Sequence, residues 1–443
     1  MPTSEDDAII AAAATVPSGV VATANNITVA EGGSLTIADG GQLVHNNAGV
    51  QATVQKHIEK HGENDGWYFI SSSVATDVAP SLENGIIAPT AKNYDLYYYD
   101  EPAHYWRNYK EGGMYSGFNI APKKGYLYAN GEENGTVLSF TGTLQPGNVN
   151  VEKTLEFNTA EDAVLAGWNL VGNPFTYNVT LDKPCYTISG NAINTEPHAE
   201  GSYTVAPCEG VMVMATGENQ SVTFTKASQQ APQPNQLQMT VAQQVMTRGI
   251  ATSTVNDKAI VNFNAGSPLE KFVFNADAAK LYIPQNGKDY AIVSTQGQGE
   301  IPVNFKAASD GQYTLTVNPE GVEMNYLHLI DNMTGANVDL LASPSYTFTA
   351  TTHDYESRFR LVFASINGDA DGDNETFAFF SNDLLIVTNE GEATLQVVDM
   401  SGHILSSQTL HGTESVNVKA SAGVYVIRLI NGNYVKTQKI VVR

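Results

Sequence analysis

The C-terminal part of the chain, residues 376–443, contains the runs that most constrain its fold. They cover residues 393–405, 422–430 and 433–443. Each run is apolar or alternates between apolar and polar residues, is rich in β-branched residues, and is bounded by Gly, Asn, Asp or Ser. Such runs predict strands closed by turns. We therefore expect a small β domain at the end of the chain.

Three motifs in this segment resemble the type A C-terminal sorting domain of type IX secretion cargo from Bacteroidetes. Residues 398–402 match its V-x-D-hydrophobic-x-G hairpin, residues 423–425 match its G-V-Y strand, and residues 436–443 match its basic terminal strand. The resemblance implies recognition of the tail by the type IX secretion machinery in the periplasm and passage through the outer membrane. It also implies that the tail is then removed or exchanged for a lipopolysaccharide anchor. The residues that it marks as the sorting signal are Asp399, Gly402, Gly423, Tyr425, Lys436 and Lys439.

The charge balance of the chain argues against two classes of partner. Lys and Arg number 23 against 46 for Asp and Glu, so the formal charge is −23. An acidic surface disfavours nucleic acid and anionic membrane leaflets, because both are negatively charged. No apolar run reaches the ~18 residues of a transmembrane helix. The length of 443 residues predicts two to four domains, and the abundant Tyr, β-branched and turn-forming residues predict an all-β protein.

The N-terminus conflicts with export. Its first residues are acidic where a signal peptide has a basic start, and the apolar run at residues 11–14 is too short. Because exported cargo first crosses the inner membrane, we expect this chain to be a fragment without its native N-terminus. The alternative is a cytoplasmic protein with a chance resemblance. Residues 1–15 are predicted to be disordered.

Two features organise the next part of the chain. Short apolar runs eight residues apart, separated by Gly-Gly turns, predict β-helix-like rungs or a meander at residues 16–50. Residues 51–227 contain an internal duplication, since Gly66-Trp67 recurs as Gly167-Trp168 and residues 120–129 recur as residues 205–215. We expect two related β units in tandem that share one sandwich or pack as a pseudo-symmetric pair.

A Pro/Gln linker at residues 228–236 leads to a further β-sandwich at residues 237–366, immunoglobulin-like or jelly-roll-like, with one strand at residues 272–274. Residues 367–375 form an acidic hinge before the sorting domain at residues 376–443. Both sandwich regions resemble β-sandwich repeats that are common in proteins with such tails.

The hinge offers the one metal site that the pattern suggests. Asp369, Asp371 and Asp373 alternate on a Gly-broken loop and could bring several oxygens onto Ca²⁺. An EF-hand would have Glu at the twelfth position, where this chain has Phe380. A solvated acidic hinge without a metal is the alternative, and no other cofactor is expected.

The densest aromatic cluster suggests a ligand surface. Sugars stack on exposed aromatic faces, and neighbouring carboxylates accept hydrogen bonds from their hydroxyls. The alternative is that these side chains are the core face of a hairpin. The predicted ligand-binding residues are Tyr97, Tyr99, Tyr105 and Trp106.

Cys185 and Cys208 have 22 residues between them. In an exported chain they could form a disulfide, and the alternative is two separate buried thiols.

The sequence contains no G-x-S-x-G elbow, phosphate-binding loop or Cys-His pair. We therefore expect a non-enzymatic protein, secreted or anchored at the cell surface, that serves as a stalk or in adhesion to glycans or host proteins. The alternative is the accessory C-terminal half of a hydrolase whose catalytic domain lies upstream.

Overall fold

The computed structural model describes residues 2–62, 66–112, 117–158, 165–189, 194–228, 234–247, 250–272, 274, 277–365, 377–381, 384–389, 391–432 and 434–442. These residues form strands and two short 3-10 helices, at Ala91–Asn93 and Glu101–Ala103, and none of them lies in an α-helix. The all-β prediction is therefore confirmed. The chain divides into a first unit, Met1–Gln233 with Phe272–Ala276, and a second unit, Pro234–Lys271 with Asp277–Arg443.

The first unit begins with short parallel strands stacked as rungs. They are β1 (Ala8–Ile10), β2 (Ala13–Val16), β3 (Val21–Thr23), β4 (Ile27–Val29), β5 (Ser34–Ile37), β6 (Gln42–Val44) and β7 (Gln51–Ile58). β1 pairs with β4, β2 with β5, β3 with β6, and β5 with β7, all in parallel. Ala8 lies opposite Ile27 and Val21 opposite Gln42, so one turn takes about 20 residues. Of the two predicted alternatives, this pairing is β-helix-like.

The predicted disorder of residues 1–15 is wrong, because this stretch contains β1 and β2. Ile10 packs against the hydrophobic core. The Asp7 carboxylate accepts hydrogen bonds from the side chains of Asn25 and Asn26 at 3.1 and 2.7 Å. The polar N-terminal residues thus bond to the next turn of the β-helix-like stack. Because these partners lie far along the sequence, a local sequence pattern does not predict the contact.

The next strands form the first of two related segments. They are β8 (Trp67–Ser71), β9 (Tyr94–Asp100), β10 (Tyr105–Asn108), β11 (Gly125–Asn130) and β12 (Thr136–Thr143). Four of them form an antiparallel sheet in the order β10-β9-β11-β8. β12 instead pairs with β7 and thereby continues the sheet of the rungs. We call this segment the first copy.

The second copy has the strands β13 (Val151–Thr154), β14 (Trp168–Gly172), β15 (Val179–Leu181), β16 (Cys185–Ser189), β17 (Asn194–His198), β18 (Gly210–Met214) and β19 (Ser221–Lys226). Its four-stranded sheet has the order β17-β16-β18-β14, and β19 pairs with β13. This order matches the first copy strand for strand, with β14 in the place of β8 and β18 in the place of β11.

The second unit starts with one continuous sheet of eleven strands. They are β20 (Gln236–Thr247), β21 (Ile250–Asn262), β22 (Leu269–Glu270), β23 (Lys280–Gln285), β24 (Lys288–Ser294), β25 (Gln298–Lys306), β26 (Gly311–Glu320), β27 (Met324–Asp331), β28 (Asn337–Asp339), β29 (Ser345–Ala350) and β30 (Phe359–Ser365). Their order is β28-β27-β30-β25-β23-β24-β21-β20-β26-β29, with β22 beside β24. One hydrophobic core takes side chains from both ends of this order, such as Leu329 and Phe348, as in a β-sandwich.

The strand predicted at residues 272–274 is not present at either of the two residues that the structure describes there. Phe272 and Phe274, the two residues of this run that the structure describes, lie outside any strand and belong to the first unit. Their apolar side chains pack there, as described below, and this explains the strand-like composition of the run.

The C-terminal strands are β31 (Ala378–Ser381), β32 (Leu384–Val387), β33 (Glu392–Asp399), β34 (Ile404–His411), β35 (Glu414–Asn417), β36 (Gly423–Asn431) and β37 (Tyr434–Val442). They form a sheet β31-β32-β35 and a sheet β34-β33-β36-β37, which share one hydrophobic core. The Gln438 side-chain amide links the last strand to the first, because it accepts from the Ala378 N–H at 2.8 Å and donates to the Ala378 carbonyl at 2.6 Å.

Candidate functional site

The aromatic residues predicted to bind a ligand lie on β9 and β10 of the first copy. Side chains alternate between the two faces of a sheet, and paired residues share a face. Tyr99 lies opposite Trp106, and Tyr97 lies two residues before Tyr99, so these three side chains occupy one face. Tyr105 occupies the other face. The structure therefore does not bring the four together as one platform.

Tyr99 and Trp106 are packed as interior side chains. Tyr99 is 4% exposed and its hydroxyl donates to the Leu165 carbonyl at 2.9 Å. Burial raises the pKa of Tyr99, and the nearby carboxylates of Glu101 and Asp100 add to this effect. The partly buried Trp106 ring lies 5.3 Å from Tyr99 and 5.2 Å from Phe274 between centroids.

Tyr105 is an exposed aromatic side chain at the edge of the same sheet. It is 51% exposed. The Arg107 guanidinium lies 5.0 Å from the centre of its ring, and Arg107 also forms an ion pair with Asp100 at 3.0 Å. Tyr105 is thus the most accessible of the four predicted residues.

A second aromatic pair, Trp67 and Tyr97, is only partly buried. Their ring centroids lie 6.3 Å apart at 46°. The His61 ring meets Trp67 edge-on, with 5.7 Å between the ring centroids. We call this the Trp67 surface and define it by the pair and the side chains that surround it, which are His61, Trp67, Asp95, Tyr97 and Asn108.

Polar groups surround the Tyr97 hydroxyl on the Trp67 surface. Burial raises the pKa of Tyr97, and the Asp95 carboxylate raises it further, whereas a hydrogen bond with Asn108 opposes the shift. Asp95 is itself held by Lys110 at 2.8 Å. Aromatic faces beside a carboxylate and an amide can bind a ligand that has both apolar and hydrogen-bonding groups.

The recurrence of Trp67 in the duplicated motif favours a core residue, yet the structure leaves it partly exposed. Its place beside Tyr97 depends on β11, which lies between β8 and β9 in the sheet. Alternation along β9 is enough to place Asp95 and Tyr97 on one face, but no local pattern predicts the strand order.

The predicted disulfide is not present. Cys185 and Cys208 are free and buried. Cys185 belongs to the core around Val211 and Val213, whereas Cys208 belongs to the core of the rungs and the first copy. Burial raises the pKa of Cys208 to about 12. Two thiols in different cores act as small apolar residues, which is the alternative that the sequence left open.

No group of three or more His, Cys, Asp or Glu that could hold a metal ion occurs among the described residues. The predicted calcium ligands Asp369, Asp371 and Asp373 lie outside the described residues, so the calcium site stays a prediction.

The predicted sorting residues Asp399 and Gly402 form the turn between β33 and β34. The Asp399 carboxylate accepts from the backbone N–H groups of Ser401 and His403 at 2.8 and 2.9 Å. The hydrogen bond from His403 is the largest cause of the lowered pKa of Asp399. Gly402 has a φ of 89°, a backbone conformation that favours glycine, and this explains the glycine that ends the motif.

The remaining sorting residues lie on the two C-terminal strands. Gly423 begins β36, and the Tyr425 hydroxyl donates to the Ser421 carbonyl at 2.8 Å, which ties the strand to the loop before it. Lys439 is exposed on β37 and Lys436 is partly buried there. The basic residues thus lie on an edge strand of the four-stranded sheet.

The fold and this C-terminal module are those of a β protein with a terminal sorting domain. Residues 381–443 match the family described as secretion system C-terminal sorting domain. The match supports a cargo of type IX secretion and indicates a secreted protein. No curated protein was found to match the chain. Among the described residues, no helix has the length and apolar character needed to span a membrane.

Proposed function

We propose that this chain is a non-enzymatic binding protein of a Bacteroidetes-like bacterium. Type IX secretion exports it, and it is retained at the cell surface, where it contacts glycans or host proteins. The match of residues 381–443 to the sorting family carries the proposal of export. The Trp67 surface and the exposed Tyr105 support the proposal of binding, because aromatic side chains are frequent at binding sites.

Export is tested by deleting residues 377–443 in the native bacterium. We expect the shortened protein to remain in the periplasm and to be lost from the cell surface, as measured by surface labelling and by fractionation. Surface display at the level of the full chain would contradict the proposal.

A pair of point variants separates the sorting signal from general folding. Asp399→Ala removes the carboxylate that holds the tail turn, and we expect reduced surface display. Asp339→Ala is the matched control, because its carboxylate holds a turn of the sandwich in the same way, accepting from the Leu341 N–H at 2.9 Å. Display of the control should equal that of the wild type.

A further inference from the structure

A segment from later in the chain docks on the second copy. The Phe272 ring packs against Trp168 at 4.9 Å and against Tyr186 at 5.6 Å between centroids. The Phe272 N–H donates to the Tyr186 hydroxyl at 3.1 Å, and the Thr195 hydroxyl donates to the Phe272 carbonyl at 3.1 Å. Trp168 is 3% exposed and Tyr186 is fully buried. One Phe side chain and its peptide group therefore close what we call the Trp168 surface, formed by Trp168, Tyr186 and Thr195.

The Trp67 surface is the counterpart of the Trp168 surface in the first copy. Trp67 and Trp168 begin the equivalent strands β8 and β14. Tyr97 aligns across the sheet with the residue two positions after Trp67, and Tyr186 aligns with the residue two positions after Trp168. The two ring pairs also have similar geometry, with 6.3 Å and 46° in the first copy against 5.7 Å and 60° in the second.

The two surfaces differ in burial. Trp67 and Tyr97 are partly exposed, whereas their counterparts are closed by Phe272. The Tyr97 hydroxyl interacts with Asp95 and Asn108. A hydroxyl has one proton and two lone pairs, so Tyr97 can donate to the Asp95 carboxylate and still accept from a peptide N–H.

One contact of the Trp168 surface has no equivalent. Thr195 aligns with Ile188 on the neighbouring strand, and in the first copy the corresponding position is taken by Trp106. The hydroxyl that donates to the Phe272 carbonyl is therefore replaced by an aromatic ring. The Trp106 ring already packs on Tyr99 and Phe274, so an incoming peptide would lose this hydrogen bond.

We propose that the Trp67 surface binds an extended peptide segment of a partner protein through a phenylalanine side chain. The ring inserts beside Trp67 and Tyr97, and the backbone N–H of the same residue donates to the Tyr97 hydroxyl, as Phe272 does on the Trp168 surface. This inference rests on the proposed binding function and names the class of partner, a protein segment with an accessible Phe.

The test measures binding of a fluorescein-labelled peptide, EKFVFNAD, which has the sequence of residues 270–277, to the purified full chain by fluorescence anisotropy. We expect saturable binding that weakens about tenfold or more in Trp67→Ala, because buried aromatic anchors dominate such contacts. The same peptide with both Phe residues replaced by Ala should not bind. Tyr355→Ala is the control, since Tyr355 is a 50% exposed aromatic residue of the second unit and no part of the Trp67 surface, and the affinity of this variant should be unchanged.

A second variant covers the case in which Trp67→Ala does not fold, as judged by circular dichroism. Tyr97→Phe keeps the ring and removes the hydroxyl, and we expect binding about fivefold weaker, the effect of one hydrogen bond. The proposal would be overturned if the peptide does not saturate the wild type. It would also be overturned if folded Trp67→Ala or Tyr97→Phe binds the peptide with unchanged affinity.

A cellohexaose titration of the same proteins distinguishes a glycan partner. Saccharide binding that depends on Trp67, together with no binding of the peptide, would assign the surface to glycans and reject the peptide proposal. These assays use purified protein, whereas the export test uses cells. Failure of the peptide proposal is therefore distinguishable from failure of the proposed secretion.

Discussion

Arg358 and Asp331 form an ion pair inside the second unit, with side chains 3% and 0% exposed and 3.0 Å between the charged atoms. The guanidinium also donates to the Thr349 carbonyl at 2.8 Å and lies 4.4 Å from the centre of the Phe348 ring. The Tyr346 hydroxyl donates to Asp331 at 3.0 Å. Two buried charges are tolerated because both are hydrogen-bonded as well as paired.

Asp331→Asn should strongly destabilise the second unit. The substitution removes the nearer negative charge and leaves the buried Arg358 guanidinium with only the more exposed Asp354 carboxylate at 3.6 Å. We expect a loss of about 3–5 kcal/mol in the free energy of unfolding, measured by urea denaturation. Lys288→Gln is the control, because it breaks a more exposed pair with Glu270 and should cost no more than about 1 kcal/mol. Equal effects of the two variants would contradict the prediction.

The pH dependence of the same variant has a defined sign. Burial raises the pKa of Asp331, but hydrogen bonds from Arg358, the Met333 N–H and Tyr346 outweigh it and lower the pKa below its ordinary value. The stability from the pair is therefore complete above the unfolded-state pKa of about 4 and is lost as pH falls through the folded-state pKa. The difference between wild type and Asp331→Asn should be constant near neutral pH and shrink below about pH 4.

At the scale of elements, the two copies of the first unit contact each other in a reciprocal way. Ile70 forms a β-bridge with Glu209, and Val171 forms one with Lys124. Ile70 and Val171 lie three positions after the Trp of their copies, and Lys124 and Glu209 each precede the Gly that begins the equivalent strands β11 and β18. Each copy thus presents the same two positions to the other. This symmetry, with the shared strand order, supports an origin by duplication.

Gly125 is predicted to be required at this contact. A Cβ atom there would lie 2.7 Å from the Leu170 side chain and 2.8 Å from the Val171 carbonyl oxygen. Since the Val171 carbonyl belongs to the backbone of the paired strand β14 and cannot give way as a flexible side chain can, Gly125→Ala should destabilise the first unit by about 1–3 kcal/mol in thermal unfolding.

Gly62→Ala is the control for Gly125→Ala. Its added methyl group would meet its nearest neighbour at 3.8 Å, so we expect little change. An unfolding midpoint of Gly125→Ala equal to that of Gly62→Ala would show that the close contact at Gly125 is relieved without loss of stability, and would contradict the prediction.

At the scale of the whole molecule, the second unit includes both the large sandwich and the C-terminal strands. Ile386 of the tail packs in one apolar cluster with Tyr326, Val362 and Ala364 of the sandwich. The hydroxyl of Ser381 also bonds to Glu300, which is paired with Arg360 at 2.8 Å. The tail is therefore supported by the domain that precedes it as well as by its own core.

Ile386→Asn should uncouple the tail from the sandwich. It places an amide in the apolar cluster, and we expect a loss of about 2–4 kcal/mol and a separate, lower melting transition of the tail in calorimetry. Ile404→Asn is the control, because Ile404 is 53% exposed and the same substitution should leave the melting profile unchanged. A single unshifted transition in Ile386→Asn would mean that the cluster does not couple the two parts.

Local patterns are sufficient for the all-β fold, for most strands and for the turn of the sorting motif. Strand alternation and turn residues act over a few positions, so the sequence alone places Asp399 and Gly402 in a turn. The duplicated Gly-Trp motif likewise indicates two related segments. Local patterns do not predict the strands β1 and β2, because the strands that pair with them lie about 20 residues further along the chain.

Long-range packing decides the rest. Strand order puts Trp67 beside Tyr97, the register between β9 and β10 puts Tyr105 on the opposite face, and packing places Cys185 and Cys208 in different cores. Phe272 belongs to a run with the composition of a strand, but its side chain packs on Trp168, a residue far away in the sequence. Such contacts join residues that are remote in sequence. Their free energy comes from the burial of apolar surface, which cannot be predicted from a short stretch of sequence. For this reason the sorting module is recognisable from its residues, whereas the Trp67 surface emerges only from the folded chain.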